Sequence, residues 1–364
     1  MTRLFFDARY IRTDFHDGIS RYSAELAAAV AAAAPARGVE VTFLVFNDRQ
    51  RAFLPADAAT LTIGAPTAIS EPLRARELNA HRPDVVFSPM QTIGTLGRRY
   101  RQILTLHDTI YYRHRTPPKD LPWFVRIGWR LFHLSYVPQR LTLNAADVVA
   151  TVSETSARQF ADVNLTKRPV VVIPNAPQRL AELLPEGSAV APGAQNLVYM
   201  GSFMPYKNVE TLVRAMAGLP GRTLHLLSRI SPARRAELEA LVPAGASVVF
   251  HGGVTDEEYA ALLADRAVLV SASLDEGYGL PLAEALALGV PAVVTDMPIF
   301  REVAGAGALY APGTNADAFA AAVRALDDPD EHARTVAAGA AHIARFDWAR
   351  SAGILLDTVE TLAR

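Results

Sequence analysis

The amino-acid sequence predicts an α/β protein built as two open parallel sheets, and three observations predict it. Strand-like apolar runs alternate with helical ones along the whole chain, the pattern of parallel α/β architecture. A stretch rich in Pro, Gly and Ala, 184–195, interrupts that alternation near its middle, after which it restarts. In the second half a short buried strand, a glycine loop and a helix follow one another between Ala267 and Gly289 with the turn chemistry of a ligand site.

In the first half, strands are expected at 4–6, 39–46, 84–87, 102–106, 147–152 and 170–173. In the second they are expected at 196–200, 223–227, 247–250, 267–271 and 292–295. The domains are accordingly drawn as 1–188 and 196–345, each long enough to bury its own core. A last segment, 346–364, reads as an amphipathic helix with an aromatic start at Phe346 and Trp348. Ligands of such sheets bind at the carboxyl ends of the strands.

Composition narrows the classes. The 364 residues include no Cys, which removes disulfide frameworks and thiolate metal sites. No run approaches the ~18 apolar residues of a membrane span. The start, Met1 to Asp7, looks like a first strand and lacks a signal-peptide layout, so a cytoplasmic protein is expected. The net charge of -1 hides a basic first half and an acidic second half: residues 1–190 carry 23 basic and 17 acidic groups, residues 191–364 carry 13 and 20. Only Lys119, Lys167 and Lys207 are Lys among 36 basic residues.

The segment from Ser273 to Gly289 is the most specific. Pro281 sits where a first helical residue belongs and Gly289 where a helix stops. Gly277 and Gly279 let a ligand approach the backbone. The amides from Gly279 to Ala283, at a helix N-terminus, suit an anion such as a diphosphate. Glu276 lies in the loop and Glu284 inside an otherwise apolar first turn, where a carboxylate is costly unless hydrogen-bonded, as it could be by sugar hydroxyls. Glu276, Gly277, Tyr278, Gly279, Leu280 and Glu284 together resemble the E-x7-E signature of retaining GT-B glycosyltransferases, in particular family 4, with Tyr278 where that family more often has Phe.

The resemblance implies a GT-B fold: two Rossmann-like domains facing across a cleft, with the C-terminal helix crossing back to the first domain. It implies that Glu276 faces the donor sugar, that the loop and helix amides hold the diphosphate, and that Glu284 holds the ribose. Further segments extend it. The turn from Tyr199 to Asn208 resembles the family's G-R/S/T-x-x-P-x-K-N, so Lys207 is expected at the diphosphate. Ser202 and Tyr206 stand where that motif often has Arg, which leaves Lys207 as its lone cation, and Arg229, after the next strand, is the candidate to compensate. A solvated surface role is the plainer alternative for both cations.

His107 and Asp108 end a strand and resemble the family's HD pair, in which the His faces the transferred sugar. Such a His can donate to a sugar oxygen or shuttle a proton; a core or capping role is the alternative, and Asp108 suits a turn cap. Gly18, after Asp17, resembles the glycine-rich acceptor loop, while a dinucleotide G-x-G-x-x-G is absent there. The stretch His251 to Asp256, with Val254, resembles a loop near the nucleotide base. Ser153 reads as a helix cap, and Glu302 as either a site residue or a cap.

No residues show metal-ligand spacing, and Asp328 and Asp330 read as a solvated turn. The expected activity is retaining transfer of a hexose from a nucleotide diphosphate sugar, of GDP-mannose or UDP-hexose type, to a hydroxyl acceptor in glycan, polysaccharide or glycolipid synthesis. It needs no cofactor or metal beyond the donor substrate. The alternatives are another GT-B enzyme, such as a phosphorylase or epimerase, and a non-catalytic sugar-nucleotide-binding protein. Residues 98–140 add nine basic groups against Asp108 and Asp120, interleaved with aromatics. They suggest docking of a carbohydrate or lipid-linked acceptor at an anionic inner membrane face; ordinary core and surface is the alternative. Nucleic acid is not expected, since no binding motif accompanies the charge.

Overall fold

The computed structural model describes residues 1–14, 17–117 and 122–364, except for the side chain of Phe124. Within the basic stretch, Lys119, Asp120 and that side chain therefore lie outside the described residues. The chain divides into two compact units: Met1–Asn175 with Phe346–Arg364, and Ala176–Arg345.

The first unit holds β1 (Thr2–Asp7), β2 (Val39–Val45), β3 (Ala59–Thr62), β4 (Val85–Ser88), β5 (Arg101–Thr105), β6 (Val148–Thr151) and β7 (Val170–Val172). They form one sheet in the order β3-β2-β1-β4-β5-β6-β7, every pair parallel. Central strands of such a sheet are covered on both faces, which is why Val85, Val86 and Phe87 form an unbroken apolar run with no exposure. The second unit holds β8 (Ala191–Tyr199), β9 (Thr223–Leu226), β10 (Ser247–Phe250), β11 (Asp265–Ser271), β12 (Ala292–Thr295) and β13 (Ala308–Ala311). Its sheet is also parallel, in the order β10-β9-β8-β11-β12-β13.

Every strand expected from the sequence is present, and two were not foreseen: β3 and β13. Both are edge strands. β3 has no buried residue and β13 is buried only at its two ends, so neither carries the apolar signal of a central strand.

The division between units also differs from the expected one. It falls after Asn175 and not near 188, and the Pro- and Gly-rich stretch 184–195 runs directly into β8. Leu180, 2% exposed, sits in a 3-10 turn (Leu180–Leu183) packed on the helices Asp256–Ala264 and Leu280–Leu288, which ties the segment to the second unit. Composition reports backbone preference; contact decides membership.

The last helix, Trp348–Ala363, belongs to the first unit. Asp347 caps it by accepting from the Arg350 amide at 3.0 Å. Ala352, Leu355, Leu356 and Val359 form its buried stripe against the helix Gly18–Ala33. Ser351 Oγ donates to the Pro174 carbonyl at 2.7 Å, and Arg37 pairs with Asp357 and Glu360.

Candidate active site

In each sheet the strand order reverses at one place, between β1 and β4 and between β8 and β11. Open α/β sheets bind ligands at the carboxyl ends of strands beside such a reversal.

In the second unit the turn after β8 brings Lys207 to Glu276, which follows β11, although 69 residues separate them in sequence. Lys207 Nζ lies 2.5 Å from Glu276 Oε1, with the side chains 14% and 15% exposed. Ser273 Oγ donates to the same Oε1 at 3.0 Å. Both bonds fall on one oxygen, and among the described residues nothing bonds Oε2 of Glu276. The ammonium has three N–H donors and spends one here. It also lies 5.4 Å from the Tyr206 ring centroid, a cation–π contact. Tyr206 thus supports the lone cation at a position where the motif often has an Arg.

Asn208 sets the aim of this turn, a role that sequence reading missed. It is one of few non-glycine residues in the left-handed region, with φ +50°. Its Nδ2 donates to the Ala272 carbonyl at 3.2 Å and the Gly313 carbonyl at 2.6 Å, while Thr211 Oγ1 donates to its Oδ1 at 3.1 Å. One side chain thereby pins the Lys207 turn to the ends of β11 and β13. An Asn before a helix resembles a routine cap, and only the long-range carbonyls reveal the pin.

The helix Leu280–Leu288 has Gly279 as its N-cap and Gly289 as its C-cap, both left-handed. Gly279 has φ +95°, and a Cβ there would meet Phe300 Cε1 at 2.9 Å, so glycine is required twice over. Pro281 is the second helical residue, one later than expected. The expected row of five amides is shorter. Pro281 has no N–H, and the Leu282 and Ala283 amides bond back to the Gly279 carbonyl at 3.0 and 3.2 Å. Among the described residues no acceptor meets the Gly279 and Leu280 amides, which can therefore hold an anion.

Tyr278 is 4% exposed, and burial pushes its hydroxyl pKa far up, with the Glu302 carboxylate adding to the shift. The residue anchors the loop in the core, which a Phe would also do, and Gly277 beside it is buried. Glu284 lies one turn into the helix, 4% exposed, among Leu282, Ala283, Ala285 and Leu286.

The other expected positions divide. Ser202 is exposed, and its carbonyl accepts from the Tyr199 hydroxyl at 2.6 Å. Arg229 is exposed and lies across Gly253, its Cγ 3.2 Å from where a Cβ would be. Val254 follows Gly253 and precedes Thr255, which makes a full capping box with Glu258. Glu302 sits inside the helix Pro298–Ala304, whose N-cap is Met297, so it does not cap that helix.

In the first unit His107 lies two residues beyond β5. Its Nε2 is 2.9 Å from the Pro89 carbonyl, which can only accept, so Nε2 carries the proton. Burial holds the imidazole pKa below its ordinary value of 6.5, against the opposing effects of the Pro89 bond and Asp17. His107 is therefore neutral at pH 7, and Nδ1 is an acceptor without a partner among the described residues. With Nε2 committed to the Pro89 carbonyl, Nδ1 is the nitrogen that can accept from a hydroxyl or take up a proton. The Tyr22 ring packs edge-on against His107 at 5.1 Å and against Trp348 at 5.9 Å, so the last helix buttresses this site. Asp108 Oδ1 caps the next turn at the Ile110 amide, 2.9 Å. Gly18 opens the helix Gly18–Ala33, and Asp17 is its N-cap, accepting from the Ser20 amide at 2.8 Å.

A second feature of this unit was not anticipated. Arg9 is 2% exposed, and all five of its N–H donors are used. Nε and Nη2 bond Asp7, Nη1 and Nη2 bond Glu71, and Nη1 also bonds the Gly64 carbonyl, at 2.7–3.0 Å. Ser88 Oγ donates to Asp7 at 3.0 Å and Arg74 Nε to Glu71 at 3.2 Å. Asp7 ends β1 and Arg9 lies in the turn after it, and Glu71 is 62 residues away from Arg9 in sequence, so no local pattern announces the network.

Among the described residues, no group of three or more His, Asp or Glu is placed to hold a metal ion. Among them too, no helix is long and apolar enough to cross a membrane.

Comparison with known proteins is consistent with this geometry. Residues 17–176 match the model of the glycosyl transferase 4-like domain, and residues 194–328 that of glycosyl transferases group 1. The chain is 29% identical over 268 residues to O-antigen chain mannosyltransferase B of Escherichia coli, covering 69% of this chain and 68% of that protein. It is 28% identical over 159 residues to O-antigen chain mannosyltransferase RfbU of Salmonella typhimurium, covering 41% of this chain and 42% of that one. Among solved structures it is similar to sucrose-phosphate synthase of Thermosynechococcus elongatus, with a TM-score of 0.73 at 19% identity, covering 100% of this chain and 99% of the other. It is similar also to Anabaena HepE in complex with UDP and glucose, with a TM-score of 0.70 at 18% identity and 99% coverage of both chains. With both of its domains matched and two Rossmann-like sheets of the GT-B type, the chain belongs to the group 1, family 4-like glycosyltransferases.

Proposed function

We propose that this glycosyltransferase moves a hexose, with retention of anomeric configuration, from a nucleoside diphosphate sugar to a hydroxyl of a growing polysaccharide or lipid-linked glycan. The observation that carries this reading is the unspent bonding capacity around Glu276: two ammonium N–H groups of Lys207, Oε2 of Glu276, and the amides of Gly279 and Leu280. A cation and two amides suit a diphosphate, and a carboxylate oxygen beside them suits a sugar hydroxyl. The two similar proteins named as O-antigen chain mannosyltransferases favour mannose, and so a GDP-mannose-type donor over a UDP-hexose.

In this mechanism Lys207 and the two amides take up the charge that develops on the departing diphosphate. Glu276 orients the hexose through Oε2, Glu284 accepts from the ribose hydroxyls, and His107 Nδ1 accepts from a sugar hydroxyl. Arg229 and Val254 border the nucleotide, and Gly18 ends the acceptor loop where the helix Gly18–Ala33 begins. The anomeric C–O bond to the diphosphate breaks, the acceptor oxygen bonds the same face of that carbon, and the acceptor proton passes to a diphosphate oxygen. The products are a glycoside and a nucleoside diphosphate. No metal takes part, so turnover persists in EDTA. The reaction is placed in the cytoplasm.

The test is a thermal-shift series over nucleotide sugars followed by product analysis. A donor at 100 times its Kd stabilises the fold by ~2.7 kcal/mol, and nucleoside diphosphate release then depends on a hydroxyl acceptor. Release of sugar phosphate, formation of an epimer, or binding without turnover would replace this reading with a phosphorylase, an epimerase or a non-catalytic binder. Activity lost in EDTA and restored by Mg²⁺ would overturn the metal-free mechanism.

A further inference from the structure

We propose that the helices Trp123–Phe132 and Val137–Asn144 of the first unit form a docking surface for an anionic phospholipid bilayer. The proposal deepens the proposed reaction by giving a lipid-linked acceptor a place of encounter, and rests on that reading only for the acceptor's identity.

The surface is built from two populations of apolar side chains. Inward, Trp129 packs on Tyr111 at 5.1 Å and on His133 at 4.1 Å, and Tyr112 stacks on Tyr136 at 4.2 Å. These rings fasten the segment to its domain. Outward, Trp123, Ile127 and Leu131 follow each other at four-residue spacing, one stripe of a helix. They are 73%, 48% and 62% exposed, and Leu134, Val137 and Leu141 continue the exposure at 59%, 54% and 71%. Isolated exposed apolar residues need no explanation, but six within one short segment mark an interaction surface.

Charge selects the occupant. From residue 121 to 146 the sequence has no Asp or Glu, while Arg126, Arg130 and Arg140 fall within it. Arg126 and Arg130 lie on the helix three residues beyond Trp123 and Ile127, beside the apolar stripe. Arg140 is held to the Val163 and Asn164 carbonyls and serves the fold. An apolar stripe edged by Arg, with Trp at its start, is the chemistry of a helix lying in the plane of an anionic interface. A second copy of the chain fits less well, because a two-fold contact would face this acid-free, Arg-bearing segment with itself. Helices of 10 and 8 residues lie on a bilayer and cannot span it.

The experiment is vesicle sedimentation of the full chain with phosphatidylcholine alone and with phosphatidylcholine mixed with phosphatidylglycerol. Wild type is expected to sediment with the mixed vesicles, less at high salt, and weakly with the neutral ones. Ile127→Asp/Leu131→Asp should abolish sedimentation with both. Arg130→Glu should lower the anionic partition about 25-fold, at about fivefold for each of two charge units, while leaving the neutral partition unchanged. All variants should keep the wild-type Tm and nucleotide binding measured without vesicles, which separates failure of this proposal from failure of the proposed reaction. Equal sedimentation of wild type and variants, or none by wild type, would overturn the proposal. So would a dimer in sedimentation equilibrium that Ile127→Asp/Leu131→Asp dissolves without any vesicle binding.

Discussion

Apart from the additional β7 at the edge of the first, the two sheets share one strand order, with β1 and β4 meeting in the first as β8 and β11 meet in the second, yet they treat the polar groups after those strands in opposite ways. Beyond β1, Arg9 spends every donor on Asp7, Glu71 and the Gly64 carbonyl, in a network without solvent exposure at Arg9 or Asp7. Beyond β8 and β11, Lys207 and Glu276 meet through one bond, Ser273 adds one to the same carboxylate oxygen, and among the described residues nothing bonds Oε2 or the other ammonium N–H groups. A reversal in strand order creates a place where loops diverge, but it does not make a ligand site. What matters is whether the charges there are consumed by the protein or left over. The first network is a clamp on the loops through Gly64 and Glu71; the second is, on the proposed function, a receptor.

That contrast is most exposed to test at Arg9. Arg9→Met should leave Asp7 and Glu71 buried without their cation and lower stability by ~3–5 kcal/mol in urea unfolding. The folded fraction should still bind nucleotide diphosphate normally. A loss no larger than that of a surface substitution would show that the network is not a clamp.

Lys207→Ala should give the complementary result. Turnover should fall ~10²–10³-fold through lost charge stabilisation, with a smaller stability change than at Arg9. If turnover held and stability fell instead, the Lys207–Glu276 pair would be structural, and the contrast between the sheets would vanish.

Glu284→Ala sharpens the donor side. Removing a charged hydrogen bond to ribose should weaken donor affinity by ~1.5–3 kcal/mol, read by calorimetry, while Glu276→Ala should reduce turnover more than affinity. Unchanged donor binding in Glu284→Ala would return that carboxylate to the helix interior as a fold residue.

The smallest effect is the pH dependence of the first unit. Burial lowers the pKa of His107 below 6.5, and burial likewise lowers that of His133. Between the folded and ordinary values the unfolded chain binds more protons, so stability is full above about pH 6.5 and falls as acidification proceeds towards the folded pKa. Each such group contributes a slope of at most ~1.4 kcal/mol per pH unit. His107→Gln should flatten the profile of Tm against pH; an unaltered profile would mean that His107 is not held neutral by the fold.

The sequence by itself determined the features that depend on a few neighbouring residues. Strands with buried central residues such as Val85 to Phe87, the glycine that admits the turn at Gly279, the stop at Gly289 and the caps at Ser153 and Thr255 all follow from local sterics and hydrogen bonding. The edge strands β3 and β13 escaped because pairing on one side leaves little burial to mark them. Only the tertiary structure decided which charges meet. Lys207 and Glu276 touch because β8 and β11 are neighbours, and Arg9 and Glu71 because the loop through Gly64 and Glu71 folds over the end of β1. It alone separated the buried Tyr100 and Tyr112 from the exposed Trp123 within one basic, aromatic stretch. Periodicity is written in a window of a few residues, whereas an ion pair or a buried ring depends on strand order and packing across the whole sheet, which no local window contains.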